Sequence, residues 1–397
     1  MDSSGKNENK IGFVGISNWI LDAAKMNRGI YLNIKEPDLK NLKETSRTIA
    51  NSFKRGLYEM YQQLFESLVE TIDEYKKDLK RRQDKNINFH GLRDFYNLIK
   101  LCSRKLLSLE KGETEADVGF FAIECNYGGL DTSINDVKKI FTDKFEEAKQ
   151  VKHEYNVAEC IKGNLMDNES RFLMTITNSN LGIYLIEKIL KETDKPYIYF
   201  IGSQLENDLY DEAYAAKVIS KIQIYMGQPI ILVLRYLDYI YPSFYDLLNQ
   251  SYTYNTSKSK KFARIALGGS NAKPTFVHNE FRVNVIEDKA DVSKMDPPFL
   301  QRMEKHEINY KNILSDKQIE KCNSLMELKT NMVSCSEKKL KFQFNPLNEI
   351  INFSEEEIKG LIDENKGDNY ITDIIKKVVG SWPLEVIIFI ANYSIFN

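Results

Sequence analysis

Between residues 171 and 286 the chain lays down four short, mostly apolar runs, Arg171–Thr177, Pro196–Ile201, Pro229–Leu234 and Phe281–Ile286. Stretches with helical periodicity, Leu181–Lys191, Asp211–Met226 and Ser243–Tyr252, lie between them. A strand that is apolar at nearly every position is covered on both faces. Strands joined by helices rather than tight turns run parallel, because a parallel pair needs a long crossover. The predicted class is therefore α/β, a parallel sheet flanked by helices. The segment 253–280, with Gly268-Gly269 inside it, interrupts the alternation and reads as a hairpin or loop. After Pro297-Pro298 comes the run Phe299–His306, in which a short helix is expected to carry Arg302 and His306 to follow it as a capping or surface residue. A helical tail follows, and Ser354-Glu-Glu-Glu357 within it is a capping box.

Residues 38–150 have a different rhythm. Leu57, Tyr61, Leu64, Phe65, Leu68 and Ile72 recur at helix spacing, which predicts one long amphipathic helix ending in the charged run 76–85. Further helices are expected from Gly91 to Leu107 and over 133–150, with Gly128-Gly129 breaking the chain between them. This part reads as an all-helical lid. Two short apolar strands, 11–17 and 30–34, precede it.

Composition excludes several classes. A chain of 397 residues, 42% apolar, has the length for two or three domains with sizeable cores. A formal net charge of -2 gives no reason to expect nucleic acid or an anionic membrane as partner. The longest apolar run, Val386–Ala391, is too short to span a bilayer, and the polar N-terminus is no signal peptide. Five scattered cysteines (102, 125, 160, 322 and 335), never spaced as C-x-x-C, point to reduced thiols in a soluble, cytoplasmic protein. Four histidines without H-x-x-x-H spacing predict no metal site, and the tightly spaced Cys/His set of a RING is missing. No Ser/His/Asp or Cys/His signature stands out.

The stretch Val14–Gly29 carries chemistry. It reads as an apolar strand ending in an exposed Asn18, a short helix capped by Asp22, and Arg28 at that helix's far end. In a nucleotide-hydrolysing module a polar strand-end side chain holds the attacking water, and an Arg at the module edge meets a phosphate next door. A turn-closing Asn18 and a salt-bridging Arg28 are the plainer alternatives. No G-x-x-x-x-G-K-[ST] loop occurs anywhere in the chain. The same order of parts returns faintly as Asp288…Arg302, an internal repeat.

The stretches Val14–Gly29, Gly91-Leu-Arg-Asp-Phe-Tyr-Asn-Leu-Ile-Lys100, Asn126-Tyr-Gly-Gly129, Phe244-Tyr-Asp-Leu-Leu-Asn-Gln250 and Phe299–His306 follow in this order. Together they resemble the AAA+ core of the mysterin family, giant RING-finger E3 ubiquitin ligases with a dynein-like row of ATPase modules. The resemblance implies a P-loop-like parallel sheet with all-helical lids. Residues 1–37 would end one AAA+ core, 38–165 form its lid, 166–310 a second, degenerate module, and 311–397 a lid or tail. A chain so placed begins inside one module, as a piece of a larger motor. By the same resemblance Asn18 is similar to sensor 1, Arg28 to an arginine finger, and Arg93 to sensor 2 reaching a γ-phosphate. ATP and Mg belong to the intact motor, with no cofactor held by this chain alone. The implied partners are neighbouring AAA+ modules and, for the full-length family, ubiquitin-pathway proteins.

The second module departs from an active pattern. At its P-loop position stands Thr177-Asn-Ser-Asn-Leu-Gly182, without the glycines and Lys that cradle phosphates. Its third strand runs into Arg235-Tyr-Leu-Asp238 where an active module places Asp-Glu. Arg235 sets a positive charge there, and Asp238 is expected to cap the next helix. This module should not hydrolyse ATP. The chain is thus expected to supply sensor and finger elements without binding ATP by itself. The alternatives are an adaptor built on the degenerate module, or an ATPase completed in trans by a chain bearing the P-loop.

Overall fold

The structure, a computed structural model, describes residues 12, 14–16, 22, 26–34, 36–109, 111–151, 156–177, 181–257, 259–266 and 272–309. The expected tail, its capping box and Asn18 lie outside them.

Helices with clear caps build the first layer. α1 (Leu39–Phe53) starts at Asp38, whose carboxylate accepts from the Asn41 backbone N–H at 2.8 Å. The long helix expected from residue 57 forms in two pieces, α2 (Leu57–Met60) and α3 (Gln62–Arg82). α3 buries Leu64, Phe65, Leu68, Ile72 and Tyr75 on one stripe. α4 (Leu92–Leu107) begins at Gly91, whose N–H donates to the Asp94 carboxylate at 2.8 Å. α5 (Glu115–Tyr127) escapes periodicity because it is buried nearly all round, in the middle of the layer. Gly129, at φ +91°, turns the chain toward α6 (Asp131–Lys144) in a space where a Cβ would meet the Lys305 side chain at 2.8 Å. A 3₁₀ turn (Glu146–Gln150) closes the layer, and Phe65, Phe95, Tyr127 and Phe141 fill its core.

α7 (Val157–Met166) leads into the sheet. Its strands and helices follow as β1 (Leu173–Thr177), α8 (Leu181–Lys191), β2 (Tyr197–Ile201), α9 (Glu206–Leu209), α10 (Glu212–Met226) and β3 (Ile231–Arg235). A 3₁₀ turn (Tyr241–Phe244) and α11 (Tyr245–Leu248) stand where one helix over 243–252 was expected. The interrupting segment folds as a small antiparallel sheet, β4 (Thr253–Tyr254), β5 (Lys261–Ala266) and β6 (Ala272–Val277). The main sheet resumes with β7 (Arg282–Asp288), then α12 (Lys289–Val292), α13 (Pro297–Leu300) and β8 (Glu304–Ile308).

The main sheet has the order β2-β3-β7-β1-β8 and is parallel at each pairing. Both faces are covered, as the apolar runs require. Ile231 and Val233 of β3 pack toward α7 and α8, while Leu232 and Leu234 pack toward α10 and the small sheet. The chain is α/β, a five-stranded parallel sheet flanked by helices in the manner of an AAA+ module.

Three sequence expectations give way. A strand, β8, occupies the second half of Phe299–His306 where none was expected, and His306 is buried rather than surface or capping. β8 reads Glu-Lys-His-Glu-Ile and has all five residues buried, so its polar side chains hid it from an apolar-run search. Residues 14–16 and 30–34 form no strand, and Val14, Ile16, Ile30, Leu32 and Ile34 lie exposed. A parallel strand needs hydrogen-bonded neighbours, and the described residues supply none to these segments.

Candidate functional site

Ligands of open α/β sheets bind outside the carboxyl ends of the strands, where successive connections depart in opposite directions. Here β1 connects toward β2 on one side, while β7 connects across β1 to β8 on the other, so the switch lies at β1 and β7. The rim there is built from Thr177, Arg235, Glu287, Asp288 and Glu307, all at strand ends.

Ion pairs within the protein occupy this rim. The buried Arg235 guanidinium bonds Asp288 Oδ1 at 3.2 Å and lies 4.5 Å from the ring centroid of Tyr236. Lys289 Nζ bonds Glu307 Oε1 at 2.5 Å. Glu287 accepts from the Tyr241 hydroxyl at 3.0 Å. Burial first, and the adjacent Asp238 carboxylate second, push Glu287 up to about 8, so it carries its proton at neutral pH. Asp238 is likewise pushed up, chiefly by burial, and shares a hydrogen bond with Glu287. Asp238 does not act as the expected helix cap, since the following 3₁₀ turn is preceded by Ile240 and has no side-chain cap. Holding Mg²⁺ and a triphosphate takes ionised carboxylates and a nest of backbone N–H groups with a Lys. This rim instead matches its acids with its own cations or with a proton.

Arg28 and Arg93, proposed from the sequence, sit in separate elements. Arg28 lies in an exposed turn at 26–29. Arg93 is exposed in the first turn of α4, near enough to Arg302 to disfavour the charge on it. Arg302, the repeat's counterpart of Arg28, is buried. Its guanidinium stacks 4.0 Å from the Tyr245 ring centroid, and it donates to the Pro298 carbonyl.

The densest polar cluster lies between the helical layer and the sheet, and sequence reasoning missed it. Asp94 is fully buried at its centre. Arg171 Nη1 and Lys305 Nζ each bond Asp94 Oδ1 at 2.8 Å. Arg171 also donates to Asn126 Oδ1 at 2.8 Å and to the Gln301 carbonyl at 3.1 Å. Burial raises the Asp94 carboxyl, but Lys305 and Arg171 outweigh it and hold it below the ordinary range. Burial lowers Lys305 to about 8 and, with Lys305 beside it, His90 to about 3. The signal lay in Gly91-Leu-Arg-Asp, where Asp94 at the third helical position is a capping residue whose second oxygen remained to be accounted for. A cleft of about 80 Å³ opens beside Arg171, lined also by Asn97, Arg104 and Glu304.

Behind Arg171, Glu304 and His306 share one face of β8 and meet Cys125 from α5. Ligand atoms of these three lie within 4.8 Å of one another, all buried. His306 Nε2 and Glu304 Oε1 are 3.0 Å apart, and Cys160 of α7 lies beside Cys125.

Two family models described as RNF213 AAA domains match the chain, one over residues 1–41 and the other over 162–314. Among curated proteins it is similar to mouse E3 ubiquitin-protein ligase RNF213, with 32% identity over 323 residues. Zebrafish E3 ubiquitin-protein ligase rnf213-beta is 33% identical over 309 residues, and human E3 ubiquitin-protein ligase RNF213 is 31% identical over 322. These alignments take in 77%, 76% and 77% of this chain respectively, and 6% of each relative's length.

Proposed function

The chain belongs to the RNF213 AAA-domain family, and on that premise we propose that it serves an AAA+ motor of the E3 ubiquitin ligase type without binding ATP itself. In this reading Asn18 orients the lytic water of the module that ends near residue 37. Arg28 stabilises the charge that develops on a phosphoryl group held by a neighbouring module, and Arg93 reaches the γ-phosphate from the helical layer. ATP and Mg²⁺ are held by other modules of the motor. Ubiquitin-pathway proteins are partners of the larger assembly, and the compartment is the cytoplasm.

The observation that carries the reading is the rim of the second module. Arg235 stands paired with Asp288, and Glu287 keeps a proton, where an active site needs ionised carboxylates. Displacing these pairs to admit Mg-ATP would strand buried charges, a penalty of several kcal/mol. The module then works as a rigid element that passes on motions generated elsewhere. A non-catalytic adaptor is the second reading, favoured by the same sealed rim.

Titration calorimetry of the whole chain with Mg-ATP tests the proposal. No measurable binding is expected. A micromolar dissociation constant would overturn it, and loss of that binding in Arg235→Ala would locate the error at this rim.

A further inference from the structure

We propose that Cys125, Glu304 and His306 hold a zinc ion, with water as its fourth ligand, that fastens the helical layer to the parallel sheet. The three come from α5 and β8, two elements far apart in the chain. Glu304 and His306 reach the same point because they are two apart on one strand. Cys125 reaches it from the last turn of α5.

Geometry and donor type fit the ion. In a tetrahedral zinc site with Zn–S of about 2.3 Å and Zn–N and Zn–O of about 2.1 Å, ligand atoms stand roughly 3.4–3.8 Å apart. Cys125, Glu304 and His306 already have theirs within 4.8 Å, so side-chain adjustments of about an ångström bring them around one ion. A sulfur with an imidazole selects zinc over the hard, oxygen-seeking Mg²⁺ and Ca²⁺.

The charges also balance. Zinc would take up one thiolate, one carboxylate and one neutral imidazole, whose two negative charges cancel its own, and would release the thiol proton to solvent. The neighbouring backbone leaves no slack, since a Cβ on Gly128 would come 2.9 Å from the Lys305 carbonyl and 3.6 Å from His306 Nδ1.

The test uses the full chain purified under reducing conditions, with zinc and cobalt as the probes. Elemental analysis should find about one zinc per chain. Cobalt exchanged into the site should show tetrahedral ligand-field bands and a near-ultraviolet thiolate charge-transfer band. Cys125→Ser and His306→Gln should lose the metal, and Cys102→Ser, a buried thiol in the helical core, should retain it. Zinc held equally by Cys125→Ser would place it elsewhere, at Cys322 or Cys335, and overturn the proposal. A Cys125–Cys160 disulfide found by mass spectrometry in the freshly prepared chain would overturn it too. If Cys125→Ser does not fold, the wild-type cobalt spectrum decides, and absence of the thiolate band refutes the site.

Discussion

Replacing Glu287 by Gln should stabilise the protein at neutral pH and leave it unchanged in acid. Burial first, then the Asp238 and Asp288 carboxylates, lift the Glu287 carboxyl from 4.5 to about 8 against the opposing hydrogen bond from Tyr241. The sign follows from which state holds the proton. Below about pH 4.5 both folded and unfolded chains carry it, and the group has no effect on folding. Between 4.5 and 8 the unfolded chain ionises while the native one must take a proton up, so stability falls by about 1.4 kcal/mol per pH unit. Above 8 the native carboxyl ionises as well and the loss levels off. At pH 7 the penalty reaches about 3 kcal/mol, an upper limit because Asp238 shares the shift. Gln keeps the shape, accepts from Tyr241 through its carbonyl and donates to Asp238 through its amide, so it removes the penalty alone. Urea unfolding of wild type and Glu287→Gln at pH 5, 6, 7 and 8 measures the difference, in which the titrations of groups away from this pair cancel. A gain of roughly 1–3 kcal/mol at pH 7, shrinking toward zero near pH 4.5, is expected. A difference that stays constant with pH would refute the assignment of the proton to Glu287.

Two other perturbations probe the remaining polar features. Asp94→Ala leaves Arg171 and Lys305 buried without their shared anion and should destabilise by about 3–5 kcal/mol in the same assay. A loss no greater than that of an exposed substitution would show that the cluster contributes little. Arg28→Ala, placed in an intact RNF213-type motor, should lower ATP turnover while leaving nucleotide affinity largely intact, because a finger acts on charge formed in the transition state. Unchanged turnover would reassign Arg28 to a structural role.

The sequence made the sheet legible because four of its strands are mostly apolar runs, and burial on both faces requires that composition. The fifth, β8, carries Glu304, Lys305, His306 and Glu307 into the interior, where their neighbours Asp94, Lys289 and Cys125 come from other elements. No local pattern announces such a strand. α5 was lost for the opposite reason, being buried on every side and so without a polar face to set a period. At the rim, Arg235 in place of an acid could be read in one dimension. Its pairing with Asp288, and the proton on Glu287, depend on which strands lie side by side. The cluster of Cys125, Glu304 and His306 was invisible to a search for ligand spacing because its members come from two elements separated by the whole sheet.

The junction around Asp94 has a mechanical consequence. Greasy helix faces can slide over one another, trading one set of contacts for a similar set. A carboxylate gripped by Arg171 from the approach to β1, and by Lys305 from β8, cannot shift without leaving a charge stranded. The helical layer and the sheet must therefore tilt together, as one lever arm. Residues 30–34, exposed and without regular structure, carry no comparable buried pair. A torque applied at one edge of the joined layers would reach the other as rotation of a stiff body, undiminished by slip.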